Sequence, residues 1–138
     1  MPEESTTPGL IERTRFTYEA VTRGDLDAAM SDFAPNVVWE IASGIRFEGF
    51  AAARGFLEDW IANLDDWRIE LEELHDFGNG VILAAYRQTG RPGGSTFSVQ
   101  EHAANMYEWA EGAIVLIRHY TDIAEARTAA ERLAEERG

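Results

Sequence analysis

Residues 67–89 read WRIELEELHDFGNGVILAAYRQT, and this stretch decides the fold. Trp67, Ile69 and Leu71 alternate with Arg68, Glu70 and Glu72. Successive side chains of a strand point to opposite faces, so this spacing predicts a strand with one apolar and one wet face. Gly78-Asn79-Gly80 predicts a tight turn. Val81 to Thr89 is then apolar on both faces, which predicts a central strand covered on each side.

Working outward, Gly90 to Ser95 (GRPGGS) reads as a loop, Thr96 to Trp109 as a long strand and Ile114 to Thr121 as the next. Asp122 and Glu125 resemble a capping box for a last helix, lined on one side by Ile123, Ala126, Ala130 and Leu133. Toward the N-terminus, Ile11, Thr14, Tyr18 and Val21 follow the helical period in a helix over about Gly9 to Arg23, stopped by Gly24. Asp25 can cap a second, short helix with Leu26, Ala29, Met30 and Phe33 inward, ended by Pro35-Asn36. Val37 to Ile41 is a short strand, Ala42 to Phe50 a loop, and Ala51 to Leu64 a third helix. That helix carries a stripe of Phe56, Leu57, Trp60, Ile61 and Leu64. Helices gathered before an antiparallel run predict an α+β fold, a curved sheet closed by helices over an apolar pocket.

The turn at Ala110-Glu111-Gly112 controls which side chains share a face. A three-residue loop ending in Gly112 pairs Trp109 with Ala113 and sets Asn105 opposite Ile117. Asn105, Tyr107, Val115, Ile117 and His119 then share one face, with His102, Ala104 and Met106 on the other. A two-residue loop shifts the register by one and swaps the facing of the last strand. Ile114 to Ile117 is apolar throughout, so the sequence leaves both registers open.

The chain has 138 residues, enough for one domain with a proper core. Residues 9–138 read as that domain and residues 1–8 (MPEESTTP) as a short disordered tail without the features of a secretory signal. No apolar run approaches the roughly 20 residues that span a bilayer. The net charge of −13 repels phosphate backbones and anionic membranes, which argues against nucleic-acid and membrane partners. There is no cysteine, hence no disulfide or thiolate site, and a cytoplasmic location fits. His75 and His102 have no partner at metal-ligand spacing, and no His-x-x-x-His pattern occurs, so no metal is expected. Gly90 to Ser95 lacks the following helix that a phosphate cradle requires.

Several short motifs, in order, resemble the nuclear transport factor 2-like superfamily and, within it, the SnoaL-like domains. They are Gly24-Asp25-Leu26-Asp27, Phe33 to Glu40 (FAPNVVWE), Phe47-Glu48-Gly49, Asp59-Trp60, Asp66 to Glu70 (DWRIE), Glu111-Gly112 and Tyr120-Thr121-Asp122. The resemblance implies a cone-shaped, cystatin-like fold whose open end admits small apolar molecules. It covers ketosteroid isomerases, polyketide cyclases, epoxide hydrolases, dehydratases and non-enzymatic dimers, so fold alone does not give function.

The resemblance also places the chemistry of those families on residues of this chain. The carboxylate base of the ketosteroid isomerases falls on Ile41, which accepts no proton, and their tyrosine donor on Thr17. Their second donor falls on Asn105, whose amide can donate to an oxyanion. The acid-base pair of the polyketide cyclases falls on Asn105 and His119. An imidazole, with an ordinary pKa of about 6.5, is a competent base near neutrality. His119 as base and Asn105 as oxyanion donor are therefore the candidate catalytic pair, with no cofactor.

Tyr18, Trp39, Phe56, Trp60 and Tyr107 are candidate ligand contacts, and Arg87 a candidate for a carboxylate at the pocket mouth. Each has a purely structural reading as well: aromatic stripes are core first, a buried Asn is satisfied by its neighbours, and Arg87 pairs with surface acids. Glu40 alternates away from the face of Trp39 and Ile41. Three functions follow. One is a cofactor-independent proton-transfer enzyme, isomerase-, cyclase- or hydrolase-like, acting on a small apolar carbonyl compound. The second is a ligand-binding module without turnover. The third is a homodimer subunit paired through the outer sheet face at Met106, Ala104 and His102.

Overall fold

The computed structural model describes residues 9–41 and 44–138. The proposed tail at residues 1–8 lies outside the described residues, as do Ala42 and Ser43 of the expected loop. The elements run α1 (Leu10–Thr22), α2 (Leu26–Ala29), β1 (Phe33–Ile41), β2 (Ile45–Glu48), α3 (Phe50–Ala62), β3 (Leu64–Gly78), β4 (Val81–Pro92), β5 (Val99–Ala110), β6 (Ala113–Tyr120) and α4 (Ile123–Arg137). The fold is α+β: four helices on a curved open sheet of order β2-β1-β6-β5-β4-β3. Neighbouring strands are antiparallel except β1 and β6, which run parallel. Among the described residues no helix is long and apolar enough to cross a membrane.

Local chemistry places the ends. Asp25 accepts from the Ala28 amide at 3.0 Å and Asp122 from the Glu125 amide at 3.1 Å, each satisfying a free N–H of a first turn. The sequence predicts an end to α2 at Pro35-Asn36 and a strand from Val37. Instead β1 starts at Phe33 and absorbs Pro35 where its register with β6 shifts, at an irregularity that needs no ladder donor. Ile45 to Glu48, expected as loop, pairs with β1 as a short edge strand.

The double apolar face of β4 has a direct cause. Ile82, Ala84 and Tyr86 face α1–α3 in one core, together with Tyr18, Met30 and Ile117. Val81 and Leu83 face the other way and pack with Ala104 and Met106 against Ala126, Ala130 and Ala134 of α4. Three alanines at helical spacing let α4 lie close on the sheet. This corrects the expected dimer surface. Ala104 and Met106 are fully buried under the chain's own last helix, so only His102 of that trio is exposed.

Of the two registers that the sequence leaves open, the last hairpin begins in the two-residue one. Ala110 pairs with Ala113 across a two-residue turn in which Glu111 (φ 53°) and Gly112 (φ 80°) both take the left-handed conformation. Such a turn alone would swap the facing of β6. A bulge cancels the swap: Trp109 pairs with Ile114 but Glu108 with Leu116, leaving Val115 as the extra residue. Tyr107 then lies opposite Ile117 and Asn105 directly opposite His119.

Gly80 follows Asn79 in the β3–β4 turn at φ 82°, and a Cβ there would sit 2.5 Å from the Trp109 carbonyl oxygen. Both the backbone conformation and the space exclude a side chain. Gly80→Ala is expected to lower the unfolding free energy by at least about 1–3 kcal/mol, measured by urea denaturation. An unchanged midpoint would refute this account of the turn.

Candidate active site

Between the sheet and helices α1–α3 lies a cavity of about 300 Å³. Its walls are mostly aromatic and aliphatic. Phe56 stacks on Phe47 (centroids 4.4 Å apart) and meets Trp39 edge-on at 5.1 Å, which holds one wall rigid. Met30, Leu57 and Ile69 complete the apolar lining.

The opposite wall is polar, and strand register assembles it. Gln88 pairs with Glu101 and Asn105 with His119 directly across neighbouring strands, all on the cavity face with Tyr86 and Tyr107. The indole N–H groups of Trp60 and Trp67 both donate to Gln88 Oε1, at 3.0 and 2.8 Å. Gln88 Nε2 donates to Glu101 Oε1 at 2.6 Å. Glu101 Oε2 faces His119 Nε2 at 3.5 Å. His119 Nδ1 meets the Tyr86 hydroxyl at 3.0 Å and Asn105 Oδ1 at 3.3 Å. Asn105 Nδ2 donates to the Tyr18 hydroxyl oxygen at 3.1 Å, and Tyr107 donates to the same oxygen at 2.8 Å.

Tyr18 Oη thus accepts twice, and its own proton meets no acceptor among the described residues. A phenolic oxygen that accepts two hydrogen bonds is a stronger donor for a third partner, and here the third partner's place is the cavity. Thr17 lines the cavity as well, but its hydroxyl donates to the Arg13 carbonyl at 3.3 Å. Ile41 reaches the cavity with no ionisable group.

The environment keeps the phenols neutral and the carboxylate charged. Burial first, then the neighbouring tyrosines, pushes the Tyr18 hydroxyl well above its ordinary value. Burial, followed by the Glu101 charge, does the same to Tyr86, and burial pushes Tyr107 up to about 12. The His119 hydrogen bond, with help from Gln88, holds the Glu101 carboxyl below the usual carboxylate range.

Of the residues singled out in the sequence, Tyr18, Trp39, Phe56, Trp60, Asn105, Tyr107 and His119 come together around this cavity. Arg87 does not. It sits on the opposite face of β4, because its neighbours Tyr86 and Gln88 face inward, and its Nε meets Glu72 Oε2 at 3.2 Å. Glu40 is also outside, held by Arg118 at 2.6 Å and Arg46 at 3.2 Å. Sequence reasoning missed Tyr86, Gln88, Glu101 and Trp67. The available signal was Gln88, a polar residue in phase with the inward side chains of an apolar strand. Among the described residues no group of three or more His, Cys, Asp or Glu gathers as metal ligands.

The sequence matches the family model of the SnoaL-like domain over residues 14–117. No curated protein matches it. The fold resembles an NTF2-like protein of unknown function from Burkholderia pseudomallei (TM-score 0.72, 19% identity, covering 85% of this chain and 93% of that one). It also resembles an LEH-like epoxide hydrolase of M. tuberculosis (TM-score 0.67, 17% identity, 88% and 89% covered). A third likeness is to TerC, co-crystallised with polyporic acid (TM-score 0.70, 16% identity, 88% and 97% covered). At these identities the likeness concerns the fold alone.

The raised phenols generate a prediction. Between pH 10 and the higher folded-state values the unfolded chain releases tyrosine protons that the folded chain retains, so stability falls as pH rises through this window. In an alkaline titration the phenolate absorbance of Tyr18, Tyr86 and Tyr107 is expected to appear together with loss of the circular dichroism signal. Ionisation of all three in a still-folded protein would refute the burial argument.

Proposed function

We propose, from the premise that the chain belongs to the SnoaL-like domain family, that its cavity binds a small, mostly apolar molecule bearing a carbonyl group and moves a proton on it without a cofactor. One observation carries this reading: the free hydroxyl proton of Tyr18 and the imidazole of His119 border the same apolar cavity, on either side of Asn105. Proton abstraction next to a carbonyl needs a base for the carbon-bound proton and a donor for the oxygen that becomes negative. His119 supplies the base. Tyr18, rather than Asn105, supplies the donor, because the Asn105 amide is turned to Tyr18 and its oxygen to His119. Asn105 and Tyr107 then act by polarising Tyr18. A donor fixed in place within an apolar wall costs no reorganisation as charge develops. That TerC, of the same fold, was co-crystallised with polyporic acid supports the reading of this chain as a binder of a small organic molecule.

A second reading is a binding module without turnover. It is favoured by the fact that both ring nitrogens of His119 are already engaged by neighbours. The sheet-to-sheet dimer has no exposed apolar surface at Ala104 or Met106 to support it.

The two readings separate on a panel of ketones, lactones and epoxides, with hydrogen–deuterium exchange into 1-tetralone in D₂O as the first assay. His119→Ala is expected to lower exchange by about 100-fold or more while 1-tetralone affinity stays within about fivefold. Undiminished exchange in that variant would remove His119 from the chemistry. Binding by the unaltered protein with no exchange or turnover across the panel would favour the binding module.

A further inference from the structure

The proton-transfer reading leaves one question that the hydrogen-bond directions answer: which atom of the His119 neighbourhood meets the substrate. An indole N–H donates and never accepts, so two indoles on one atom identify that atom as Gln88 Oε1. The Gln88 amide group is then the donor toward Glu101, and Glu101 Oε1 the acceptor. With one oxygen occupied this way and the carboxyl ionised, Glu101 Oε2 presents only lone pairs to His119 Nε2. Nε2 therefore carries a proton. In the neutral imidazole the remaining nitrogen, Nδ1, is the basic one, and the Tyr86 hydroxyl stands 3.0 Å from it.

We infer that Glu101, His119 and Tyr86 form one proton-carrying unit, in which Glu101 fixes the basic nitrogen of His119 at Nδ1 and the Tyr86 hydroxyl passes the proton between the molecule in the cavity and that nitrogen. The inference rests on the proton-transfer reading above. The order of groups is hydroxyl, imidazole, carboxylate, the logic by which a base is oriented from behind while it acts in front. Tyr86 is buried and lines the cavity. Neither ring nitrogen of His119 is free to meet the ligand directly, since Glu101 faces one and Tyr86 the other.

The step balances as follows. The C–H bond next to the substrate carbonyl breaks, and its proton forms a new O–H bond on Tyr86. In the same event the original Tyr86 O–H bond breaks and its proton bonds to Nδ1. The electron pair of the C–H bond moves to the carbonyl oxygen, which Tyr18 stabilises. The imidazolium is held by Glu101 on Nε2–H and, on Nδ1–H, by Asn105 Oδ1, the acceptor already 3.3 Å away. This gives that contact a role: it faces Nδ1 usefully only once Nδ1 is protonated. Returning the proton to another carbon reverses each transfer and needs no co-reactant. A standing phenolate is not required, in keeping with the upward push that burial and Glu101 exert on Tyr86.

Glu101 is a positioning residue, and its test reads the tautomer directly. Histidine-¹⁵N-labelled full-length protein is observed by long-range ¹H–¹⁵N correlation at about pH 9, above the ordinary imidazole range, with His119 assigned from a His119→Gln variant. The unaltered protein is expected to show His119 protonated on Nε2. Glu101→Gln is expected to invert it. Gln88 still demands an oxygen, so the new amide turns its NH₂ to Nε2, and the proton moves to Nδ1. A proton on Nδ1 in the unaltered protein, or the same tautomer in both proteins, would overturn the role of Glu101. Tyr86→Phe is expected to keep the Nε2–H tautomer yet lower deuterium exchange into 1-tetralone by about 100-fold. Exchange within twofold of the unaltered protein would remove Tyr86 as carrier. No exchange by the unaltered protein would instead refute the proton-transfer reading, and with it the carrier role of Tyr86, while the tautomer result decides Glu101 on its own.

Discussion

Two indole N–H groups that can only donate fix the polarity of the whole site. Trp60 and Trp67 converge on one oxygen of Gln88, and every group after it inherits a direction. Gln88 must donate to Glu101, and Glu101 must accept from His119 Nε2–H, which leaves His119 Nδ1 to accept from the Tyr86 hydroxyl. In water such a constraint would be weak, because each group could turn to solvent. Gln88 and Asn105 are buried, where an unpaired polar group costs about 1–3 kcal/mol, so their amides keep this orientation. On the same wall Asn105 and Tyr107 both donate to Tyr18, which leaves the Tyr18 proton for the cavity.

The sheet makes this possible by exact phase rather than by any one residue. Gln88 and Glu101, and then Asn105 and His119, are direct cross-strand partners. A one-residue slip would turn His119 to the face occupied by α4 and the Glu40–Arg118 pair. The bulge at Val115 prevents that slip after a two-residue turn that would otherwise cause it. The same alternation divides the apolar residues of β4 between two cores, so the sheet is held from both sides while its inward polar residues stay on one wall.

Much of this was legible in the residues. The alternation Trp67 to Glu72, the all-apolar Val81 to Ala85 and the caps Asp25 and Asp122 led to an α+β sheet packed by helices, and the structure has one. The shared facing of Asn105, Tyr107, Ile117 and His119 was one of the two arrangements that the sequence left open. The choice between them was not legible, because Ile114 to Ile117 is apolar throughout and a bulge has no reliable sequence signature. The dimer surface at Ala104 and Met106 failed for another reason. An apolar outer face reads the same whether a second copy or the chain's own helix covers it, and only tertiary packing tells which. Gln88 and Glu101 were passed over because each is ordinary in its own strand, and their meaning arises from facing each other.

Membership of the SnoaL-like family supplies the frame, and the proposed chemistry rests on this chain's own polar wall, with Asn105 and His119 where the resemblance puts an acid-base pair. The central claim is that the wall presents one hydroxyl donor to an oxygen atom of a guest held among aromatic rings. A crystal structure of the protein with 1-tetralone bound tests it most directly. The account predicts the ketone oxygen within about 3 Å of Tyr18 Oη, with the bicyclic body against Trp39 and Phe56. A ketone bound with its oxygen turned away from Tyr18, toward solvent, would contradict it.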